Sequence, residues 1–178
     1  MSIRARIEDA TILCTIGRPE AALLCVLTAV AATSRRRHPK KTQSIRDPTK
    51  EMRDGEAFEA FLSDEMPRIC NVTNYYIEFR GQKHRIEHVW YKWLRCELAH
   101  EASLPKDINF DPDPTHGVTR TAITEDGSLT LTHGWLDGLV SAVVSVPENA
   151  DQFDTPPIMP IPIHLPKIDL WIGKSNPT

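Results

Sequence analysis

Two residues in the segment YKWLRCELAHEASLP, residues 91–105, have side chains suited to chemistry on a charged substrate: Arg95 and His100. An imidazole titrates near ~6.5 and moves protons at neutral pH, whereas a guanidinium stays protonated and binds phosphate oxygens in a bidentate manner. A simpler interpretation is also open. Arg95 is then an exposed helix residue paired with Tyr91 or Glu101, and His100 lies near a helix C-terminus, where the dipole favours its charged form.

The helix that carries this pair is predicted to run from His84 to Ala102, because Pro105 prevents it from continuing much further. Its apolar side chains fall within an arc of about 140 degrees, which we interpret as the buried face. On the same wheel Arg95 and His100 lie roughly 140 degrees apart. One helix therefore directs both at a single substrate group only with a bent last turn or the long reach of arginine. The apolar side chains are Ile86, Val89, Trp90, Trp93 and Leu94.

Two glutamates flank His100 on this helix. Glu97 and Glu101 have the i,i+4 spacing at which like charges repel mildly. In one interpretation one of them orients His100 or pairs with Arg95. In the other, both are solvated surface residues.

Two further histidines, His84 and His88, are also four residues apart. With an acidic residue from elsewhere they could bind a metal ion. Alternatively they are polar residues on the outer face, opposite the tryptophans. There they share the side of Arg95, and His88 would extend a phosphate-binding surface.

A run of five cations occurs within seven positions in the segment SRRRHPKK. It follows a helix predicted from Pro19 to Ser34, and the dipole at a helix C-terminus favours positive charge. The run is either a solvated helix end and loop or a contact for RNA or another phosphate. Its cations are Arg35, Arg36, Arg37, Lys40 and Lys41.

The remaining pattern predicts a single mainly α-helical domain at residues 1–150, with Asp54 as the N-cap of its third helix. Residues 70–83 are expected to be irregular or briefly extended. A small β-hairpin is predicted at about 117–132, turning at Asp126-Gly127. The predicted helices, besides the one at 84–102, span residues 3–15, 19–34, 54–66 and 134–146.

The last segment, residues 151–178, is rich in proline, so we expect an extended tail rather than a helix. The longest apolar run, residues 21–32, is too short to cross a bilayer. The first ten residues are too charged for an apolar leader, and Cys14, Cys25 and Cys96 occur in apolar or helical patterns typical of reduced, buried thiols. We therefore expect a cytoplasmic protein without a membrane partner.

Composition and motifs exclude several classes of protein. The net charge of −3 gives no overall basic footprint, so any nucleic-acid contact must come from a local patch. The four cysteines lack Cys-x-x-Cys spacing, which argues against a zinc finger. No phosphate-binding Gly-rich loop and no Gly-x-Ser-x-Gly elbow occurs, so nucleotide hydrolases and α/β-hydrolases have no support.

Placed late in an apolar helix, the Arg-x4-His motif of WYKWLRCELAHEASLP resembles that of the HEPN superfamily. The segment GRPEAALLCVLTAVAATSRRRHP is similar to the first helical hairpin of such proteins. The resemblance covers residues 1–105 and, more faintly, 128–149. It implies a HEPN-like helical bundle in which the predicted β-hairpin is a small insertion and the proline-rich tail an appendage.

In function, the resemblance implies a metal-independent endoribonuclease of stress response or phage and toxin defence, with no cofactor. The ribose 2′-hydroxyl attacks the adjacent phosphate, His100 moves a proton and Arg95 stabilises the developing charge. It also implies a homodimer in which motifs from two chains line one cleft. An antitoxin or regulatory partner is possible, although Ala102 replaces the modified tyrosine of antitoxin-paired members. The alternative is a non-catalytic module that binds RNA, nucleotide or protein.

Overall fold

A computed structural model describes residues 2–111 and 118–153, and the fold is mainly α-helical. Within these residues, no helix has both the length and the apolar character required for a membrane crossing. A π-helical segment, Trp90–Arg95, joins α4 to α5, and a 3₁₀ turn, Pro147–Asn149, joins α6 to α7. The helices are α1 (Ile3–Thr15), α2 (Pro19–Arg37), α3 (Asp54–Cys70), α4 (Ile86–Val89), α5 (Cys96–Glu101), α6 (Gly134–Ser145) and α7 (Ala150–Phe153).

The first two helices form a hairpin that turns at Gly17, whose φ of 71° is in the left-handed region. The predicted bounds of α1 are confirmed. Helix α2 packs against α1, α3 and α6 and contributes a wide apolar surface to the core, as its all-round apolar sequence predicts. It also continues three residues beyond the predicted end, so Arg35, Arg36 and Arg37 are helical.

Helix α3 is also longer than predicted and ends at Cys70. The next residue, Asn71, caps it in the left-handed conformation with φ 56°. Phe58, Phe61 and Leu62 are buried, as the apolar stripe predicts. The prediction of Asp54 as N-cap is wrong. Arg53 occupies that position, and Asp54 is the first helical residue.

Residues 70–83, predicted to be irregular or briefly extended, include most of a β-hairpin, in which β1 (Tyr76–Phe79) pairs antiparallel with β2 (Gln82–Arg85). Its turn residues, Arg80 and Gly81, have φ of 53° and 70°, and two successive positive φ values are typical of a type I′ turn. The predicted helix start at His84 is therefore wrong, because pairing with β1 keeps residues 82–85 extended. Helix α4 begins at Ile86.

The predicted hairpin near residues 117–132 is confirmed as β4 (Thr121–Ile123) and β5 (Leu129–Thr132), with Gly127 at φ 82° in the turn. A third strand, β3 (Ile108–Asp111), was not predicted and pairs parallel with β5. Leu129 and Leu131 of β5 are fully buried in the core. This small sheet therefore packs on the helical domain instead of projecting from it.

The folded domain continues past residue 150, where the tail was predicted to begin. Gln152 in α7 caps the start of α1, since its Oε1 accepts hydrogen bonds from the backbone N–H groups of Ile3 and Arg4 and from the hydroxyl of Ser2. Phe153 packs against the core. The rest of the predicted tail, residues 154–178, lies outside the described residues.

Candidate nucleic-acid interface

The helix that carries Arg95 and His100 is interrupted by the π-helical segment Trp90–Arg95. π-helical turns have i→i+5 hydrogen bonds and occur frequently at functional sites. Arg95 is the last residue of this segment, and His100 lies in the final turn of α5. Because residues 96–101 are α-helical, the predicted divergence of Arg95 and His100 around the axis persists.

Arg95 is half-buried and lies against an anchored tyrosine. Its guanidinium carbon is 6.0 Å from the centroid of the Tyr91 ring, in agreement with the simpler interpretation that pairs the two. Tyr91 packs against Phe58, with ring centroids 5.4 Å apart. It also lies so close to Gly55 that a Cβ there would be 2.6 Å from the ring.

His100 and Glu101 are exposed at the end of α5, and Glu97 is half-buried one turn earlier. None of these three side chains has a hydrogen bond, ion pair or ring contact with another described residue. Within one chain the described structure therefore brings neither Glu97 nor Glu101 to Arg95 or His100. It also shows no cleft in which Arg95 and His100 meet.

The three arginines at the end of α2 are engaged in ion pairs within the chain. Arg35 Nε donates to Asp54 Oδ1 at 2.6 Å. Arg36 binds both carboxylate oxygens of Asp151, at 2.6 and 2.7 Å. The helix end is therefore connected to α3 and to the C-terminal helix by charge-assisted hydrogen bonds.

Arg37 is the most deeply placed of the three, with its side chain 17% exposed. Its guanidinium donates to Glu65 at 2.8 Å and to Glu148 at 2.7 Å, and it lies 4.7 Å from the Phe61 ring centroid. Burial alone would raise the pKa of Glu148, but the hydrogen bonds and charge of Arg37 hold it below its ordinary value. Neither interpretation of the basic run anticipated these partners.

Lys40 and Lys41 differ from the arginines, since both are exposed in the loop after α2. No described carboxylate forms an ion pair with either lysine. Of the five predicted RNA-binding cations, these two alone have no anionic partner among residues 2–111 and 118–153.

A second basic region, which we call the Trp93 cluster, consists of Arg80, His84, His88 and Lys92 around Trp93. The ring centroids of His84 and His88 lie 4.8 and 5.7 Å from that of Trp93, edge-on in both cases. The Arg80 and Lys92 cations each lie 5.0 Å from the same ring. Two imidazoles and two cations therefore share one aromatic side chain.

The prediction that His84 and His88 lie opposite the tryptophans is wrong. On a regular α-helix, His88 and Trp93 would point in different directions. The i→i+5 hydrogen-bonding pattern aligns residues five apart more closely, so Trp93 comes beneath His88. His84 reaches the same place from the end of β2.

His88 is held by a carboxylate from another helix. Its Nδ1 lies 2.9 Å from Glu59 Oε1 in α3, and the other oxygen of Glu59 accepts from Arg46. An ionised carboxylate only accepts hydrogen bonds, so in this pair the Nδ1–H of His88 donates and Nε2 remains for a further partner. The side chains of His88 and Glu59 are 37% and 15% exposed.

The charges of the cluster act on His84. Burial lowers the pKa of His84, and the nearby charges of His88, Lys92 and Arg80 lower it further, against a backbone hydrogen bond at Phe79. Arg80 also binds both oxygens of Asp107, at 2.7 Å each. Lys92 has no ion pair with any described carboxylate.

Among the described residues, no third ligand joins His84 and His88 to form a metal site. In the part of the chain that the structure describes, no three His, Cys, Asp or Glu side chains are placed to hold a metal ion. The Glu59 carboxylate contacts His88, but it does so as the acceptor of a hydrogen bond from the imidazole.

Glu59, Arg80, Lys92 and Trp93 were not predicted as site residues. Gly81 is a usable sequence signal, because a glycine turn between short extended segments predicts a hairpin. Such a hairpin replaces the first turn of the helix that was predicted to begin at His84. Nothing in the local sequence marks Glu59, which lies 29 residues before His88.

Comparison with known proteins identifies the family but no activity. No curated protein and no solved structure matches the chain. The family described as Rv1289 matches residues 2–176, nearly the full length, and its description names no reaction or ligand. The chain therefore belongs to the Rv1289 family.

Proposed function

We propose that this chain is a HEPN-like RNA-binding protein that cleaves RNA without a metal ion, in a stress or defence response. The observation that carries the proposal is the Trp93 cluster. Imidazoles transfer protons near neutral pH, and fixed cations stabilise a charged phosphorane. Attack by a ribose 2′-hydroxyl on the adjacent phosphate requires both kinds of group, a proton-transferring imidazole and a fixed cation.

The β1–β2 hairpin offers a second surface that supports contact with a nucleic acid, on the face opposite His84. Tyr76 is 48% exposed on the outer face of the β1–β2 hairpin, and Lys83 lies 4.9 Å from its ring centroid. Single-stranded RNA is commonly bound by cations and exposed aromatic rings together. The three arginines at the end of α2 are less available to RNA, because the charges of Arg35, Arg36 and Arg37 are already paired within the chain.

The HEPN resemblance assigns the chemistry to Arg95 and His100 and requires two chains. Two features of the surface support a dimer. Ile12 and Ile16, at the C-terminal end of α1, are 61% and 64% exposed. The turn after Ile16 lines a groove of about 410 Å³ together with Leu98 and Ala102, which lie on either side of His100 in the sequence. Sedimentation at micromolar concentration tests the dimer, which Ile16→Glu should weaken. A wild-type monomer that cleaves RNA would contradict the composite site.

A second candidate function is a non-catalytic module that binds RNA, nucleotide or a protein partner. It is favoured by the divergence of Arg95 and His100 on their helix and by the absence of a described partner for His100. In this case the Trp93 cluster binds phosphate but transfers no proton.

Incubation of the purified protein with several RNAs in EDTA separates the two functions. A metal-independent nuclease of this type gives products that end in a 2′,3′-cyclic phosphate and begin with a 5′-hydroxyl. Binding without cleavage on every RNA would favour the module. Activity that EDTA abolishes would instead indicate a metal enzyme and contradict the proposal.

A further inference from the structure

We propose that His84 and His88 are the proton-transfer pair of the RNA-cleaving site and that Glu59 positions His88 for this task. The inference rests on the proposed ribonuclease function and makes it specific. It requires only one chain, and it assigns no proton transfer to His100.

The first argument is the fixed orientation of His88. The Glu59 carboxylate accepts from Nδ1 at 2.9 Å, and Glu59 is itself held by Arg46. A carboxylate that binds one nitrogen sets the tautomer and ring orientation and directs the other nitrogen outward. With its side chain 37% exposed, His88 can present Nε2 to a ligand.

The second argument is the distance to His84. The two rings are nearly parallel, at 19°, with centroids 6.0 Å apart. Both meet the edge of Trp93, which is only 7% exposed and therefore a rigid support. At this separation both imidazoles can reach oxygens of one phosphodiester.

The surroundings of the two histidines fit two different roles. The pKa of His84 is lowered by burial and by neighbouring cations, which favours the neutral imidazole that can accept a proton. His88 is held at Nδ1 by the Glu59 carboxylate, so its Nε2 is the atom left to serve the departing oxygen. Two imidazoles in different environments are the usual basis of an acid and base assignment.

The reaction balances without a co-reactant. His84 takes the proton of the 2′-hydroxyl as the 2′-oxygen forms a bond to phosphorus, and the bond from phosphorus to the 5′-oxygen breaks. His88 gives its proton to the departing 5′-oxygen. The products are a 2′,3′-cyclic phosphate and a 5′-hydroxyl, and exchange with water restores both histidines.

Cations of the cluster serve the transition state. Lys92 projects from the helix beside Trp93, 5.0 Å from the ring centroid, and has no described carboxylate partner. Arg80 lies at the same distance from the ring but already binds Asp107. Lys92 is thus the cation available to a phosphorane oxygen. The charged groups that face the histidine pair are Glu59, Arg46, Arg80 and Lys92.

The decisive experiment measures cleavage of one RNA in EDTA by wild type and matched variants with native circular dichroism. His84→Ala and His88→Ala should each lose about 100-fold or more in rate. His88→Gln, whose amide can still donate to Glu59, guards against an effect of misfolding and should lose as much. His100→Ala distinguishes this pair from the composite site, because loss of cleavage in His100→Ala alone would assign the proton transfer to His100.

The positioning role of Glu59 has its own readout. Glu59→Ala should lower kcat about tenfold with little change in KM, because Nδ1 of His88 loses the acceptor that fixes the orientation of its ring. Glu59→Gln, whose amide oxygen can still accept from Nδ1, should recover most of the lost kcat. An unchanged kcat in Glu59→Ala would overturn the positioning role.

The outcomes separate this inference from the function it rests on. If wild type cleaves no RNA, both are overturned. If wild type cleaves and only His100→Ala is inactive, the function and the composite site stand and the inference is overturned. Full activity in His84→Ala and His88→Gln overturns the inference in the same way. Loss in these variants, with His100→Ala active, supports it.

Discussion

The end of α2 and the Trp93 cluster contain similar residues in different electrostatic situations. At the end of α2, Arg35, Arg36 and Arg37 each face a carboxylate of the same chain at 2.6 to 2.8 Å. In the Trp93 cluster, Arg80 and His88 also face carboxylates, those of Asp107 and Glu59. Lys92 differs, because it lies against the Trp93 ring and has no ion pair with a described carboxylate. A dense run of cations in the sequence therefore does not indicate cations available to a ligand. The partners of each cation determine its availability.

The largest effect that tests this contrast is expected from Arg37→Ala. It leaves the half-buried Glu148 without its cation and the buried Glu65 with only the more exposed Arg68. Removal of one member of a buried pair exposes the cost of the other's desolvation. We expect the free energy of unfolding to fall by about 3 kcal/mol, measured by urea denaturation. RNA affinity at a temperature where the variant is folded should be unchanged. A large loss of RNA affinity without a loss of stability would show that Arg37 binds RNA and would contradict the contrast.

The second prediction concerns the acid limit of stability. Since the pKa of Glu148 is lower in the folded chain than its ordinary value, its contribution to stability is present above the unfolded pKa, about 4.3. It is lost as the pH falls through the folded value. The stability difference between wild type and Arg37→Ala should therefore narrow below about pH 4.3. A constant difference down to pH 2 would show that packing against Phe61 dominates.

The third prediction addresses the Trp93 cluster. If Lys92 contacts a phosphate, Lys92→Ala should weaken RNA binding on every sequence and reduce the slope of log K against log salt by about 1. Stability should change little, because Lys92 is exposed. Arg36→Ala, which removes a charge of the same sign already paired with Asp151, is the matched control and should leave the slope unchanged.

The smallest effects are expected from the two free lysines of the basic run. Lys40→Ala and Lys41→Ala should each alter the free energy of unfolding by less than about 0.5 kcal/mol. If these lysines contribute to RNA binding, the salt slope falls for them as it does for Lys92. That result would extend the interface from the Trp93 cluster to the loop after α2.

Apolar periodicity predicted much of the fold. The bounds of α1, the start of α2, the stripe on α3 and the β4–β5 hairpin follow from apolar spacing and turn residues. These are local signals that a few neighbouring residues determine. Helix ends were less accurate, because α2 extends where Arg37 meets Glu65 and Glu148, 28 and 111 residues away.

The candidate site was harder to predict, for the same physical reason. The β1–β2 hairpin displaces the start of α4, and the π-helical segment rotates Trp93 towards His88. A regular wheel therefore placed His84 and His88 on the wrong side. The Glu59 contact joins two helices across 29 residues. Local periodicity contains no information on such a pair, whereas Arg95 and His100 were visible as a motif.

The Gln152 cap on α1 has a consequence for biosynthesis. Ser2 caps the N–H of Ala5 locally, but the N–H of Ile3 receives its side-chain acceptor from a residue 149 positions later. When the nascent chain emerges from the ribosome, α1 can form against α2 but its first turn lacks this partner. The start of the first helix is therefore completed only after Gln152 has left the ribosome, when the rest of the described domain has already been synthesised.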